Sequence, residues 1–243
     1  MIPLQTQPVA RSAATRDKSR LAALWALLLV LLLIIAGCGS DHELSGTLYD
    51  PVIPAPELEG TNWDGAPFRL SDLQGRVALI FFGYTSCPDI CPLALSEMKT
   101  ISTRLGDQAG ELAVVFVSVD PERDSPERIG AYLQAFDDQF YGVHIPPEQL
   151  AAVKQDFGVY AEKRVVEGSA AGYLVDHTGW TYVVDKAGKL REVFATDVPV
   201  EARLQDVIWL MKRSWSGTEY IEGSMVAADL CVLQWCEAGN VPA

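Results

Sequence analysis

Two uninterrupted apolar runs restrict the folds open to this chain more than any other feature of its sequence. The first extends from Val77 to Phe82, and the second extends from Leu112 to Val119. Both runs have the length of a strand and are rich in β-branched and aromatic residues. Because a continuous apolar run implies burial on both faces, each run predicts a central strand of a parallel sheet.

A pair of cysteines, Cys87 and Cys91, follows the first run. Pro92 then opens a helix that we expect to end near Leu105, because proline suits the first turn of a helix. Both cysteines therefore lie in a strand-to-helix turn, where the helix dipole and the unpaired N–H groups favour a thiolate. Thiolates attack disulfides and bind soft metals such as Cu(I). A structural disulfide, or two buried small residues, is the plainer alternative.

The following elements continue the alternation of strands and helices. Ser125 and Pro126 predict the N-cap and the first residue of another helix, and a further short helix is expected from Pro147 to Phe157. This order predicts βαβ units and an α/β fold with a central sheet flanked by helices. With paired cysteines at the first strand–helix junction, the outline is thioredoxin-like. An added N-terminal hairpin is expected around Asp64 and Gly65.

A histidine supplies the second half of the candidate site. His177 precedes a predicted hairpin made of Thr181–Val184 and Leu190–Phe194. In thioredoxin-like proteins a cis-proline typically lies just before this strand, and here Gly179 or its neighbour takes that place. If the fold is right, the imidazole can face both cysteines. The alternative is an ordinary core or turn histidine, and Asp176 is either a partner of the histidine or a turn residue.

Two thiolates and one imidazole form a compact three-ligand set for copper. Sulfur satisfies Cu(I), and the same set can hold Cu(II). Zinc would require a fourth protein ligand or an open position for water. The three residues Cys87, Cys91 and His177 are therefore the candidate metal ligands.

The N-terminal segment has the pattern of an export signal. An uncharged run of residues 21–36 follows four basic residues, Arg11, Arg16, Lys18 and Arg20. The run is short for a membrane span and ends in Ile35-Ala36-Gly37-Cys38, which resembles the lipobox of bacterial lipoproteins. A signal peptide over residues 1–37 and a lipid on Cys38 are predicted, with an uncleaved anchor helix as the alternative. Both place the chain outside the cytoplasm, membrane-anchored and facing the periplasm or the cell exterior.

The remaining boundaries follow from composition. Residues 38–56 are interpreted as a tether, residues 57–214 as the thioredoxin-like domain and residues 215–243 as an extension. The extension holds Cys231 and Cys236, for which a local disulfide is expected in an oxidising compartment. A second metal or redox pair is the alternative. The net charge of −13 argues against a nucleic-acid partner.

Three stretches of the chain resemble the SCO/SenC family of copper-binding proteins that help assemble cytochrome c oxidase. They are residues 83–92, residues 117–124 and residues 175–178, and they come in the family's order. The resemblance implies that Cys87, Cys91 and His177 bind copper. It also implies delivery of that copper to the binuclear site of oxidase subunit II or another copper-accepting protein, or its use with reduction of that site's cysteines.

Three functions compete. A copper metallochaperone, which is not an enzyme in the usual sense, needs His177 for tight binding, and we favour it. A membrane-tethered thiol–disulfide oxidoreductase would use Cys87 as nucleophile and Cys91 as resolving thiol. It would normally have a shorter spacer and the cis-proline. A thiol peroxidase needs a cation beside Cys87, for which Arg76 and Arg123 are the nearest candidates.

Overall fold

The structure, a computed structural model, describes Trp25, residues 42–166 and residues 172–213. The chain separates into two compact units, residues 1–43 and residues 44–243. The strands and α-helices given below all belong to the second unit. Within the described part of the chain, no helix is both long and apolar enough to span a membrane. The predicted lipidation site and the tail cysteines, Cys38, Cys231 and Cys236, lie outside the described residues.

Strands and helices alternate along this unit, as the sequence predicts. The strands are β1 (Thr47–Pro54), β2 (Glu59–Asn62), β3 (Pro67–Arg69), β4 (Val77–Gly83), β5 (Leu112–Ser118), β6 (Tyr141–His144), β7 (Ala161–Val165), β8 (Tyr173–His177), β9 (Thr181–Val184) and β10 (Lys189–Phe194). The α-helices are α1 (Ile90–Leu105), α2 (Pro126–Leu133), α3 (Pro147–Phe157) and α4 (Val200–Lys212). Two 3-10 turns span Leu70–Leu73 and Gly106–Glu111.

An eight-stranded sheet forms the centre of the unit, in the order β1-β10-β9-β4-β5-β6-β2-β3. Its middle strands β4, β5 and β6 pair in parallel, whereas β9 and β10 run antiparallel. The hairpin of β2 and β3 is the predicted N-terminal addition. The α/β class is therefore confirmed. Strands β7 and β8 form a separate two-stranded sheet.

Strands β4 and β5 are the two apolar runs of the sequence, and all of their residues are buried. They pair in register from Val77 opposite Leu112 to Gly83 opposite Ser118, so both strands end at the same edge. Gly83 allows α1 to approach this edge closely, because a Cβ there would lie only 2.9 Å from the Cys91 sulfur. The loops after β4 and β5 consequently lie side by side.

The helix termini follow the expected chemistry. Helix α2 begins at Pro126, and the Ser125 hydroxyl accepts a hydrogen bond from the Arg128 backbone N–H at 3.3 Å. Helix α1 begins at Ile90, two residues before the predicted proline, which places Cys91 in its first turn.

The interpretation of residues 38–56 as a tether is wrong for Thr47–Pro54, which forms β1 and pairs with β10. Strand β1 lies at the edge of the sheet and most of its residues are exposed. Its register with β10 shifts between Leu48 and Ile53. An exposed edge strand with an irregular register has no apolar period, so this segment resembles a linker in sequence.

Two buried carboxyl groups hold the segment that leads into β1. The Gly46 backbone N–H donates to Glu192 Oε2 at 2.9 Å, and the Ser45 backbone N–H donates to Asp206 Oδ2 at 3.0 Å. Glu192 Oε1 is buried without a hydrogen-bond partner. Burial raises the pKa of Glu192 to about 8, the Asp206 charge adds to this rise, and the Gly46 N–H opposes it.

Replacing Glu192 with glutamine should change how stability depends on pH. A carboxyl whose pKa is higher in the folded state binds its proton more tightly when folded, so stability falls as pH rises from about 4.5 to about 8. Glu192→Gln removes this contribution, and the variant should gain stability relative to the wild type across that window. Urea unfolding at several pH values measures the difference. Glu148→Gln, at an exposed position, is the control. A difference in the free energy of unfolding between wild type and Glu192→Gln that does not change with pH would contradict the raised pKa of Glu192.

Candidate metal centre

The structure brings together the three residues that the sequence nominates as metal ligands. One ligand atom from each of Cys87, Cys91 and His177 lies within 4.8 Å of the others. Cys87 lies in the turn after β4, Cys91 lies in the first turn of α1, and His177 is the last residue of β8. The Cys91 sulfur is 3.4 Å from His177 Nε2, and both cysteines are free thiols.

Backbone and side-chain contacts shape the turn that carries the thiols. The Cys87 N–H donates to the Tyr84 carbonyl at 3.1 Å. The preceding Thr85 donates twice to the Asp124 carboxylate, from its N–H at 2.9 Å and from its hydroxyl at 2.6 Å. Asp124 is fully buried and also accepts from the Ser118 hydroxyl at 2.7 Å. A carboxylate with three donors thus ties the thiol turn to the loop after β5.

The pKa values of the two thiols are shifted in opposite directions. A hydrogen bond from the Cys91 thiol, together with hydrogen bonds from the Asp89 and Cys91 backbone N–H groups, lowers the pKa of Cys87 to about 4 against the effect of burial. Burial raises the pKa of Cys91 above its usual range, and the bond to Cys87 and the negative charge there raise it further. The apo site therefore holds one thiolate on half-buried Cys87 and one thiol on buried Cys91. The predicted preference for a thiolate therefore agrees with Cys87, which precedes the helix, and is wrong for Cys91 in the first turn of the helix.

A carbonyl group orients the imidazole of His177. The Thr178 carbonyl lies 3.1 Å from Nδ1 and can only accept, so Nδ1 carries the proton and Nε2 keeps its lone pair toward the thiols. Thr178 is itself held by Tyr160, whose carbonyl accepts from the Thr178 N–H at 2.9 Å. The rings of Phe81 and Tyr84 meet the imidazole edge-on at centroid distances of 6.0 and 5.7 Å. Residue spacing alone does not indicate the contacts with Tyr160, Phe81 and Tyr84, because they depend on tertiary packing.

Asp176 takes neither of the roles considered for it. It lies within β8 and is exposed, and its Oδ2 pairs with Arg164 Nε of β7 at 2.9 Å. Alternation along the strand sends its side chain away from the face that carries His177.

The loop before β9 lies against the thiol segment without a cis-proline. A Cβ on Gly179 would come within 3.1 Å of the Ile90 side chain, so a glycine suits this close approach.

The two cations considered for a peroxidase both pair with other groups. Arg76 donates to the Tyr141 hydroxyl at 2.9 Å and to the carbonyl of Leu112. Leu112 is the first residue of β5, so Arg76 lies at the opposite end of the strand from the thiols. Arg123 pairs with Asp120.

The donor set fits a soft, low-coordinate metal ion. Two sulfurs and one imidazole nitrogen are ligands that Cu(I) favours, and no fourth histidine, cysteine or carboxylate joins them among the described residues. Structural zinc sites normally close with four protein ligands. The chemistry of the cluster therefore fits Cu(I) better than structural zinc.

The separation of the two thiol pKa values can be measured in the reduced, metal-free protein. With Cys38, Cys231 and Cys236 replaced by serine, the ultraviolet thiolate absorbance should show one step in acid, near pH 4, and a second step only above the ordinary thiol range. Cys87→Ala should remove the acid step. Cys91→Ala should move it toward the ordinary thiol value of about 8.5, because the largest stabilising donor is lost. Two steps near that ordinary value in the parent protein would contradict the asymmetry.

Comparison with known proteins agrees with this site. The chain matches the SCO1/SenC family over residues 55–212. It is 33% identical over 141 residues to the SCO2-like protein of Rickettsia felis, covering 58% of this chain and 69% of that protein. The copper-bound structure of Bradyrhizobium japonicum ScoI is 34% identical, with a TM-score of 0.59 and coverage of 65% of this chain and 99% of that one.

A second solved relative comes from another organism. The apo Sco1 protein of Thermus thermophilus is 36% identical, with a TM-score of 0.62 and coverage of 71% of this chain and 99% of that one. These likenesses confirm the thioredoxin-like architecture of the domain. Because the family match extends over more than half of the sequence, this chain belongs to the SCO1/SenC family.

Proposed function

We propose that this protein is a copper metallochaperone that carries Cu(I) as cargo on Cys87, Cys91 and His177. The observation that carries the proposal is the convergence of two free thiols and an oriented imidazole within 4.8 Å. Copper bound to the related ScoI of Bradyrhizobium japonicum supports the choice of metal. The same ligand set can also hold Cu(II).

The chain's own groups prepare the site for a metal. Cys87 offers a thiolate without further ionisation, whereas Cys91 must lose its proton when a metal binds. The proton stays on His177 Nδ1, which donates it in a hydrogen bond to the Thr178 carbonyl, so Nε2 can bind without a tautomer change. Both cysteines must be reduced, since a disulfide offers no thiolate.

Exposure of the site suits release to another protein. Cys87 and His177 are half-buried and only Cys91 is fully buried, so an acceptor's ligands can reach part of the site. Transfer proceeds by ligand exchange with an acceptor that presents competing thiolates. We expect this acceptor to be cytochrome c oxidase subunit II, on the basis of family membership, or another copper-accepting protein.

A thiol–disulfide oxidoreductase is the second candidate, and the split ionisation of the thiols favours it. A low-pKa, half-buried Cys87 is suited to attack a disulfide, and Cys91 is placed to resolve the product. This activity does not need His177 as a ligand, which gives the experiment its discriminating variant.

An anaerobic Cu(I) titration of the reduced full chain in detergent, against a chromogenic chelator, tests the proposal. One tightly bound copper per chain is expected. Cys87→Ser and Cys91→Ser should each abolish stoichiometric binding, because two thiolates are needed for a soft three-coordinate site. His177→Ala should weaken binding by at least about tenfold. The double variant Cys231→Ser, Cys236→Ser should bind as the parent does.

Two outcomes would contradict the chaperone. Stoichiometric binding retained by either cysteine variant would exclude the three-ligand site. Weak binding that ignores His177 would favour the oxidoreductase, and the reduction potential of the Cys87–Cys91 pair would then become the property of interest.

We further propose that the chain is exported and held at a membrane by a lipid on Cys38. The basic segment, the uncharged run and the lipobox-like Ile35-Ala36-Gly37-Cys38 support this proposal. Cells fed radiolabelled palmitate should label the wild-type protein. Cys38→Ser should lose the label, whereas Cys231→Ser should keep it. An unlabelled wild-type chain that still carries residues 1–37 would instead indicate an uncleaved anchor.

A further inference from the structure

The strand that carries His177 is not part of the main sheet. Strands β7 and β8 pair only with each other, whereas both cysteines follow a central strand of the eight-stranded sheet. No backbone ladder therefore sets the distance between the imidazole and the thiols. Contacts from the β7–β8 hairpin to the body of the domain must set it.

The strongest of these contacts centre on Tyr173, the first residue of β8. Its hydroxyl donates to Asp120 Oδ1 at 2.8 Å, and its carbonyl accepts from Arg123 Nη1 at 3.1 Å. The Arg123 guanidinium also lies 3.6 Å from the centroid of the Tyr173 ring, which is a close cation–π contact. Arg123 Nε in turn pairs with Asp120 Oδ2, and Asp120 is fully buried.

Other links between hairpin and body are weaker or differently placed. Lys163 of β7 pairs with Glu122 at 2.6 Å, but both side chains are largely exposed, and exposed ion pairs contribute little. Lys154 of α3 donates to the carbonyl of Ala161 at 3.1 Å, which holds the start of β7. The hairpin would therefore stay attached without Arg123, with less restraint on its orientation.

One loop reaches both halves of the site. Asp120 and Arg123 hold the histidine hairpin, and Asp124 of the same loop binds Thr85 at the start of the thiol turn. The loop follows β5, whose end lies beside the end of β4. A loop of a few residues thus joins the histidine hairpin to the thiol turn.

We propose that Arg123, which pairs with Asp120 and stacks on Tyr173, is a positioning residue that holds His177 at ligand distance from Cys91. The inference deepens the proposed copper site and rests on it for its effect on metal binding. Its geometric part concerns the metal-free protein and can be tested separately.

A thermodynamic cycle in the reduced full chain tests the effect on copper. Arg123→Gln should weaken Cu(I) binding by about tenfold, the scale expected when support for a metal ligand is lost. In a His177→Ala background the same change should alter the affinity by less than about twofold, because there is no ligand left to position. Arg164→Gln is the matched control, since it also removes one arginine charge, but the partner of Arg164 is Asp176 within the β7–β8 hairpin. It should bind copper as the wild type does.

A second readout needs no metal. Nuclear Overhauser contacts between the His177 and Tyr84 rings, whose centroids are 5.7 Å apart, should weaken in Arg123→Gln and persist in Arg164→Gln. Tyr173→Leu removes the same contact from the hairpin and leaves the Asp120–Arg123 pair in place. It should act like Arg123→Gln, and it decides the question if Arg123→Gln does not fold. Equal loss of affinity in both backgrounds, or unchanged ring contacts in the Arg123 and Tyr173 variants, would overturn the proposal. Absence of copper binding in the wild type would refute the proposed function, while the ring contacts would still decide the positioning role.

Discussion

Parallel pairing between β4 and β5 is the constraint on which the rest of this structure depends. Fourteen buried residues in a continuous register, seven from each strand, place both carboxyl ends at one edge of the sheet. In open α/β sheets that edge is where ligands commonly bind. The thiol turn leaves it after β4, and the loop that binds both the thiol turn and the histidine hairpin leaves it after β5. The arrangement of the site thus originates in the backbone ladder between β4 and β5.

The parts of the fold that were predictable are those with strong local signals. Unbroken apolar runs identify β4 and β5, and Ser125-Pro126 identifies the start of α2. Strand β1 gave no such signal, because an exposed edge strand gains its stability from pairing with β10, which is distant in sequence. Strand β7 gave no apolar signal either, because its central residues are charged and exposed. It pairs only with β8.

The candidate site, like the fold, has parts that the sequence predicts and parts that it does not. Residue types and order were enough to nominate Cys87, Cys91 and His177, because paired cysteines after a core strand are rare and chemically specific. The contacts that position these residues were missed, since the Asp124 carboxylate binds Thr85 across the tertiary structure and the bond from His177 to the Thr178 carbonyl depends on the local backbone conformation. The cluster of charges directly after β5 was the available signal, because a carboxylate beside a buried strand needs partners to be tolerated.

The asymmetry of the thiols connects the structure to its proposed use. One half-buried thiolate, one buried thiol and one oriented imidazole form the three-ligand set on which the proposed copper chaperone depends. X-ray absorption at the copper edge of the Cu(I)-loaded chain tests this claim most directly. We expect two sulfur ligands and one imidazole nitrogen per copper, with the nitrogen lost in His177→Ala. A spectrum with sulfur ligands alone in the wild-type protein would contradict it.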